Sequence, residues 1–383
     1  MNFLDGGLVQ EGARLFWRSA ALSIDVTEYA FAMPPQSGAN AVLGLRPEHI
    51  ALVAPDQPAD GQPAVAQARA TEFGLTAMSV DELLAGPAQI VLNITPPLAH
   101  HAVGIAVLNA GKHLFSEKPL AATFAQGQEL VALAAARKLR LGCAPDTVLG
   151  AGCQAVRALI DAGTVGQIVG GSAQFMNHGP DHWHPNPDFF YRPGGGPLHD
   201  MGPYYISHLV HHLGPVAELA ATARMTWRER IIPRGANAGR SIKVEVPTTV
   251  VSQLRFVAGA EVSLTVSFDV WKHDHTPIEL YGEQGTILGH DPNLFGGKVR
   301  WSKEDGDWQT VRERRPYTTN SRGIGLLDMA FAIEEGRPHR CNEALALHVL
   351  EVMDKSLESA AHDRALALTT TCERPAALTA RLA

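Results

Sequence analysis

The sequence predicts two fold classes in one chain: an α/β part built on a parallel sheet, then an α+β part built on an open, mostly antiparallel sheet with helices on one face. Three observations carry this. Ile90-Val91-Leu92-Asn93-Ile94-Thr95-Pro96-Pro97 and His113-Leu114-Phe115-Ser116-Glu117-Lys118-Pro119-Leu120 are apolar runs that each leave into a polar, proline-stopped turn. With a helix-forming stretch between them they make a βαβ unit. Beyond Val165 the chain alternates as strands separated by turn residues, the pattern of a mostly antiparallel sheet. Finally, 383 residues exceed one ordinary core, so two domains are the default.

Residues 1–60 differ from the rest of the chain. A turn signal at Gly6-Gly7 precedes short strands over 14–18, 24–27 and 41–45. Met1-Asn2-Phe3-Leu4 and Gly44-Leu45-Arg46-Pro47-Glu48-His49-Ile50 resemble the small β-barrel, TOBE-type domain that follows the ATPase core in sugar-importing ABC transporters. No Walker A motif occurs in the chain, so an ATPase is not implied. Residues 55–62, rich in Pro, Asp and Gly, mark a seam. A helix over 64–73 comes next, closed by Gly74, and then a capping box of Ser79 and Glu82. The helix between the two strands covers 99–109, an amphipathic helix covers 124–137, and 139–144 is a third apolar strand. Past Asp146 a helix over 153–162 leads into strands over 168–176, 248–256, 260–268, 278–281 and 298–302. Helices over 324–334 and 344–361 close the chain. The expected division is 1–60, 61–146, 147–330 and 331–383.

A formal charge of −7 with no Lys/Arg block argues against nucleic acid or an anionic membrane as partner. Cys143, Cys153, Cys341 and Cys372 are scattered, which fits a reducing compartment rather than a disulfide framework. No leader and no membrane-length apolar run is present, so a cytoplasmic protein is expected.

Lys118 stands at the carboxyl end of a strand, where open α/β sheets bind ligands. Gly194-Gly195-Gly196-Pro197-Leu198-His199-Asp200-Met201-Gly202-Pro203-Tyr204-Tyr205 allows close backbone approach and sets Asp200 and Tyr204 four apart, on one face of a helix. Singly, these read as a surface lysine, a helix cap and a half-buried core tyrosine. Together, a lysine, a carboxylate and a phenol move a proton on and off a carbinol oxygen. His208 and His212 are spaced for zinc, but no carboxylate or cysteine partner is evident, so His208, His211 and His212 are expected at the surface or between domains, with no metal site. Trp271, His273, Asp274 and His275 end a strand and either face a sugar or are ordinary loop residues.

Four motifs in order resemble the Gfo/Idh/MocA family of nicotinamide-dependent oxidoreductases, over about residues 64–361: Asn93 to His100, Glu117-Lys118-Pro119, Gly142-Cys143-Ala144-Pro145-Asp146-Thr147, and Gly194 to Tyr205. The resemblance implies a Rossmann-like first domain and hydride transfer between NAD or NADP and a sugar or polyol hydroxyl. It makes Lys118, Asp200 and Tyr204 catalytic, with Tyr204 where the family usually has a histidine. It sets Thr95, Pro96, His100, Glu117 and Lys118 on the cofactor, and Asp146, His182, Trp183 and His184 on the substrate.

The departure from the family is its Gly-x-Gly-x-x-Gly turn, which holds the pyrophosphate at a helix N-terminus. Residues 33–38 are a poor substitute, since Pro34 and Pro35 lack N–H donors. Gly150-Ala151-Gly152 lies where the family has a plain helix start, and Asp56 is the nearest candidate for the adenosine ribose. The first domain is therefore expected to be truncated, its free sheet edge completed by strands from 41–53, and dinucleotide binding weak or lost. The alternative is an inactive or repurposed sugar-binding protein. A homo-oligomer, dimer or tetramer, is expected because an uncovered sheet face seeks a partner.

Overall fold

The computed structural model describes the backbone of residues 4–11, 14–18, 23–25 and 40–43, and residues 70–71, 74, 76–184, 186–235, 237–312 and 314–382. The first strands are Leu4–Glu11 (β1), Arg14–Arg18 (β2), Ser23–Asp25 (β3) and Asn40–Leu43 (β4). They form an antiparallel sheet in the order β3-β2-β1-β4. Residues 40–43 therefore do not extend the parallel sheet as expected: Asn40 to Leu43 pair with Gly7 to Leu4 instead. Antiparallel pairing within the front satisfies these backbone groups without the later strands. Residues 33–38, 44–53 and Asp56 lie outside the described residues.

Val80–Ala85 (α1) starts at the expected capping box, where the Ser79 side chain accepts from Glu82 N and the Glu82 carboxylate accepts from Ser79 N. Ile90–Asn93 (β5), His100–Asn109 (α2), His113–Ser116 (β6), Phe124–Ala136 (α3) and Leu141–Cys143 (β7) follow in strict alternation. The three strands form a parallel sheet, β5-β6-β7. Leu114, Phe115 and Ser116 are buried in succession, as a strand covered on both faces requires. Thr123 caps α3 by accepting from Gln126 N.

Ala151–Asp161 (α4), Ile168–Met176 (β8) and Gly196–Leu213 (α5) open the second half. Next come Val216–Arg224 (β9), Glu229–Ile231 (β10), Ser241–Lys243 (β11), Thr249–Phe256 (β12), Glu261–Ser267 (β13), Ile278–Gly282 (β14), Gly285–Leu288 (β15), Arg300–Lys303 (β16) and Gln309–Thr310 (β17). Ile324–Glu334 (α6), Glu343–His362 (α7) and Leu366–Ala367 (β18) end the chain. A nine-stranded sheet runs β17-β16-β15-β14-β8-β13-β12-β9-β18, with β8 and β13 parallel and the other pairs antiparallel.

Along β12, Val250, Ser252, Leu254 and Phe256 point inward while Val251, Gln253 and Arg255 face out, so one face of the sheet is core and the other is not. Helices α5 and α7 cover the inner face. Helix α7 also packs on α3 and β7, and one apolar core runs from Leu114 and Leu130 through Leu350 to Leu209 and Val250. Every residue of α5 except Asp200 is buried, so this helix is the centre of the molecule and not its surface.

Candidate active site

Strand β6 delivers Lys118 and helix α5 delivers Asp200 and Tyr204, and the three meet. Lys118 Nζ donates to the Asp200 backbone carbonyl at 2.8 Å and to Asp200 Oδ1 at 2.9 Å, and lies 5.2 Å from the Tyr204 ring centre. The 196–213 helix explains why Asp200 and Tyr204 share a face: one turn separates them. Burial alone would depress the Lys118 ammonium, but Asp200, Tyr204 and Glu117 together raise it above the ordinary lysine value, so it stays cationic. Burial raises the Tyr204 phenol; Lys118 pulls it back down, Glu117 raises it, and Arg322 also lowers it. A ligand hydroxyl placed between Lys118 Nζ and the Tyr204 phenol would have a fixed cation on one side and a proton carrier on the other.

The turn at the end of β5 is set by Asn93, whose Oδ1 accepts from Thr95 N at 3.2 Å and Thr95 Oγ1 at 2.8 Å. Pro96 leads into the short turn Pro97–Ala99, and Leu98 beside it is exposed and approaches Gly194. Glu117 N donates to Asn93 O at 2.7 Å, and the Glu117 carboxylate accepts from Lys118 N at 3.0 Å. His100 is buried, with Nδ1 2.7 Å from Pro119 O and Nε2 2.7 Å from Thr95 O. Both ring nitrogens thus face backbone carbonyls, to one of which a neutral ring donates, and the ring bridges the Thr95 turn and the Lys118 turn.

Asp146, expected on the substrate, is buried, and its Oδ2 accepts from Gly323 N at 2.7 Å and Gly325 N at 3.2 Å. It caps α6, whose first N–H groups lack partners of their own. That cap holds the turn carrying Arg322, a residue that sequence reasoning missed. Burial opposes its charge, but the Tyr204 hydroxyl, then Asp146 and Glu117, raise the Arg322 guanidinium above its ordinary value. Its Nη2 also donates to Asn293 Oδ1 at 2.8 Å. No local motif marks it, because 118 residues separate it from Tyr204 (322 − 204).

The loop carrying His182, Trp183 and His184 is anchored from below. Asp181 is buried, accepts from the Tyr191 hydroxyl, and pairs with Arg230 at 3.1 Å. Arg230 also pairs with Asp269 at 3.2 Å. Trp183 projects with 67 % of its surface exposed, and His184 packs edge-on against Phe189 and Phe190. Trp271 lies flat on His178 with ring centres 3.4 Å apart and meets His182 edge-on. His273 Nε2 lies 3.0 Å from Met176 O.

His208, His211 and His212 are not surface residues: all three are fully buried on α5, because that helix has no solvent face. Burial depresses each of them well below the ordinary histidine value, so the rings are neutral. Gly150 and Gly152 serve packing at the start of α4. A Cβ on Gly152 would come within 2.7 Å of the His290 ring.

Two family models match the chain: an oxidoreductase family with an NAD-binding Rossmann fold over residues 38–144, and a GFO/IDH/MocA C-terminal domain over 153–288. The dTDP-3,4-didehydro-2,6-dideoxy-alpha-D-glucose 3-reductase of Streptomyces violaceoruber is 32 % identical over 273 residues, covering 70 % of this chain and 71 % of that one. The chain belongs to the Gfo/Idh/MocA family. The NADP-dependent D-xylose 1-dehydrogenase of Hypocrea jecorina is 26 % identical over 262 residues, 64 % of each chain. A levoglucosan dehydrogenase solved with NADH and L-sorbose shares the fold, with TM-score 0.69 and 20 % identity over 80 % of this chain and 88 % of that one. Against three other curated relatives the match spans only 41–47 % of the relative's length. The family match begins at residue 38, ahead of the expected start near 64, so it runs over the segment 41–53.

Proposed function

We propose that this Gfo/Idh/MocA protein is an oxidoreductase that transfers a hydride between a nicotinamide dinucleotide and a hydroxyl of a sugar or polyol. The observation that carries the reading is Lys118 fixed by Asp200 beside Tyr204, at the carboxyl edge of a parallel sheet. The sugar substrates in the names of the relatives support the substrate class. The nicotinamide end of a dinucleotide fits the Thr95-Pro96 turn, where exposed Leu98 offers an apolar wall and the β5 and β6 turns are fixed by Asn93 and His100. When bound, the dinucleotide supplies the hydride acceptor or donor. Lys118 steadies the substrate oxygen as its charge changes. Tyr204, as the phenolate, takes the hydroxyl proton in oxidation and, as the phenol, returns it in reduction. His182 and Trp183 wall the sugar, and His184 supports them. Four free, buried cysteines support a reducing compartment, the cytoplasm.

The test is turnover with millimolar NAD+ or NADP+ against a panel of aldoses and polyols, followed by the absorbance of the reduced nicotinamide. Turnover that collapses in Lys118→Ala supports the reading. The second reading is a sugar-binding protein without hydride transfer, favoured by the missing glycine-rich turn. Sugar binding by calorimetry with no turnover for any pair would select it.

A further inference from the structure

We propose that Cys153, His208 and His212 form a buried three-ligand site for a soft-to-borderline divalent cation, zinc by its donor set. The His208–His212 spacing left the sequence reading without a third ligand, and the fold supplies it. Helix α4 brings Cys153 against α5, so that one donor atom from each of the three residues lies within 4.8 Å of the other two. All three are buried, and among the described residues this is the group of metal-ligating side chains that converges so closely.

The contacts these groups make without a metal are poor. Cys153 Sγ is 3.9 Å from His212 Nε2, and His208 Nε2 is 3.4 Å from the Thr147 hydroxyl, both at the long limit of a hydrogen bond. The Nδ1 atoms of His208 and His212 are buried with no partner at all. The Nδ1 of His211 on the same helix is unpartnered too, so it is the convergence of Cys153 with His208 and His212 that marks the site. One thiolate and two neutral imidazoles are a zinc donor set, and the histidines stand one helical turn apart as such ligands do. The Thr147 hydroxyl and the His290 ring, 5.6 Å from the His208 ring between centres, are the nearest further donors.

Neighbouring cations do not oppose the ion strongly. Arg157 is paired with Asp161 at 2.7 Å, Arg374 with the same carboxylate at 2.8 Å, and Arg340 with Asp328. The site would clamp α4 to α5 one and two turns beyond Tyr204, on the same helix.

The full chain, stripped with a chelator and titrated with Co²⁺, should develop a thiolate-to-cobalt charge-transfer band and the visible bands of a tetrahedral ion, which Zn²⁺ then bleaches. Purified without chelator, it should carry zinc by elemental analysis. Cys153→Ser and His212→Gln should lose the band, while His211→Gln, equally buried on the same helix but outside the cluster, should keep it. Thermal unfolding should fall on chelation in the wild type and not in folded Cys153→Ser. If the cysteine variant fails to fold, the wild-type spectrum decides. No charge-transfer band, or a band that survives both ligand substitutions, overturns the site.

Discussion

Lys118 keeps its charge in a partly closed cleft because Asp200 sits 2.9 Å away, and the phenol beside it feels that charge. Removing a positioned cation from the reacting oxygen costs a proton-transfer enzyme about 10²-fold or more, so Lys118→Ala should lose at least that in kcat, and Tyr204→Phe likewise with an unchanged fold by circular dichroism. Unchanged turnover in both would place the chemistry elsewhere. Arg322 gives a finer test. Its guanidinium lowers the Tyr204 phenol, so Arg322→Met raises that phenol further. If Tyr204 in its phenolate form is the base, the rise of kcat/KM for oxidation should move to higher pH, and an unmoved profile would separate Arg322 from Tyr204. Lys118, Asp200 and Tyr204 were legible in the sequence because short motifs at strand and helix ends carry them. Arg322 was not, since contacts distant in sequence bring it in, among them the Asp146 cap, 176 residues away (322 − 146). His100 and Asp146, which their motifs set on cofactor and substrate, also have polar atoms against backbone groups of this chain.

Helix α6 depends on that same cap, which makes its stability depend on pH. Burial raises the Asp146 carboxyl to about 6, against the Gly325 and Gly323 N–H groups that favour its anion. A raised acid holds a proton in the fold that the unfolded chain gives up near pH 4. Its contribution is therefore whole below about pH 4 and is lost as pH rises through about 6, a loss of about 1–3 kcal/mol. Asp146→Asn keeps an acceptor for α6 but cannot ionise, so urea unfolding across that window should show a flatter stability profile than the wild type; identical slopes would remove Asp146 as the cause. At this scale the sequence was legible wherever periodicity was strong. The strands at 168–176 and 260–268 and the last helices emerged within a few residues. Strand β9 was missed, because Val-Ala-Glu-Leu-Ala-Ala-Thr-Ala-Arg is alanine-rich and alternates weakly, and its pairing with β12 and β18 makes it a strand. The burial of three histidines on α5 was equally hidden, since polar residues normally mark a solvent face and this helix has none.

For the whole molecule, the outer face of the nine-stranded sheet leaves Val169, Val251 and Tyr281 exposed beside the Arg255–Glu218 pair. Such a face is expected to meet a second copy, and light scattering at micromolar concentration should give a dimer or tetramer; a monomer would end that expectation. The dinucleotide poses the larger question. Its pyrophosphate carries two negative charges that must be met on leaving water. A glycine-rich turn supplies backbone donors for them, and the helix behind it supplies a partial positive charge. The dipole contributes about 0.3–2 kcal/mol, and each hydrogen bond to a charged group about 1.5–3 kcal/mol. Loss of two such bonds and the dipole removes about 3–8 kcal/mol by the same figures. At about 1.4 kcal/mol per decade, a micromolar cofactor becomes millimolar or weaker. The nicotinamide-side turns cannot restore this: Thr95 Oγ1 is engaged by Asn93, both His100 nitrogens by carbonyls, and Lys118 by Asp200. Calorimetric titration with NAD(H) and NADP(H) should therefore give dissociation constants in the millimolar range. A low-micromolar constant for either would mean that the residues ahead of Val80 build a phosphate site from other donors, and the sugar-binding alternative would then lose its main support.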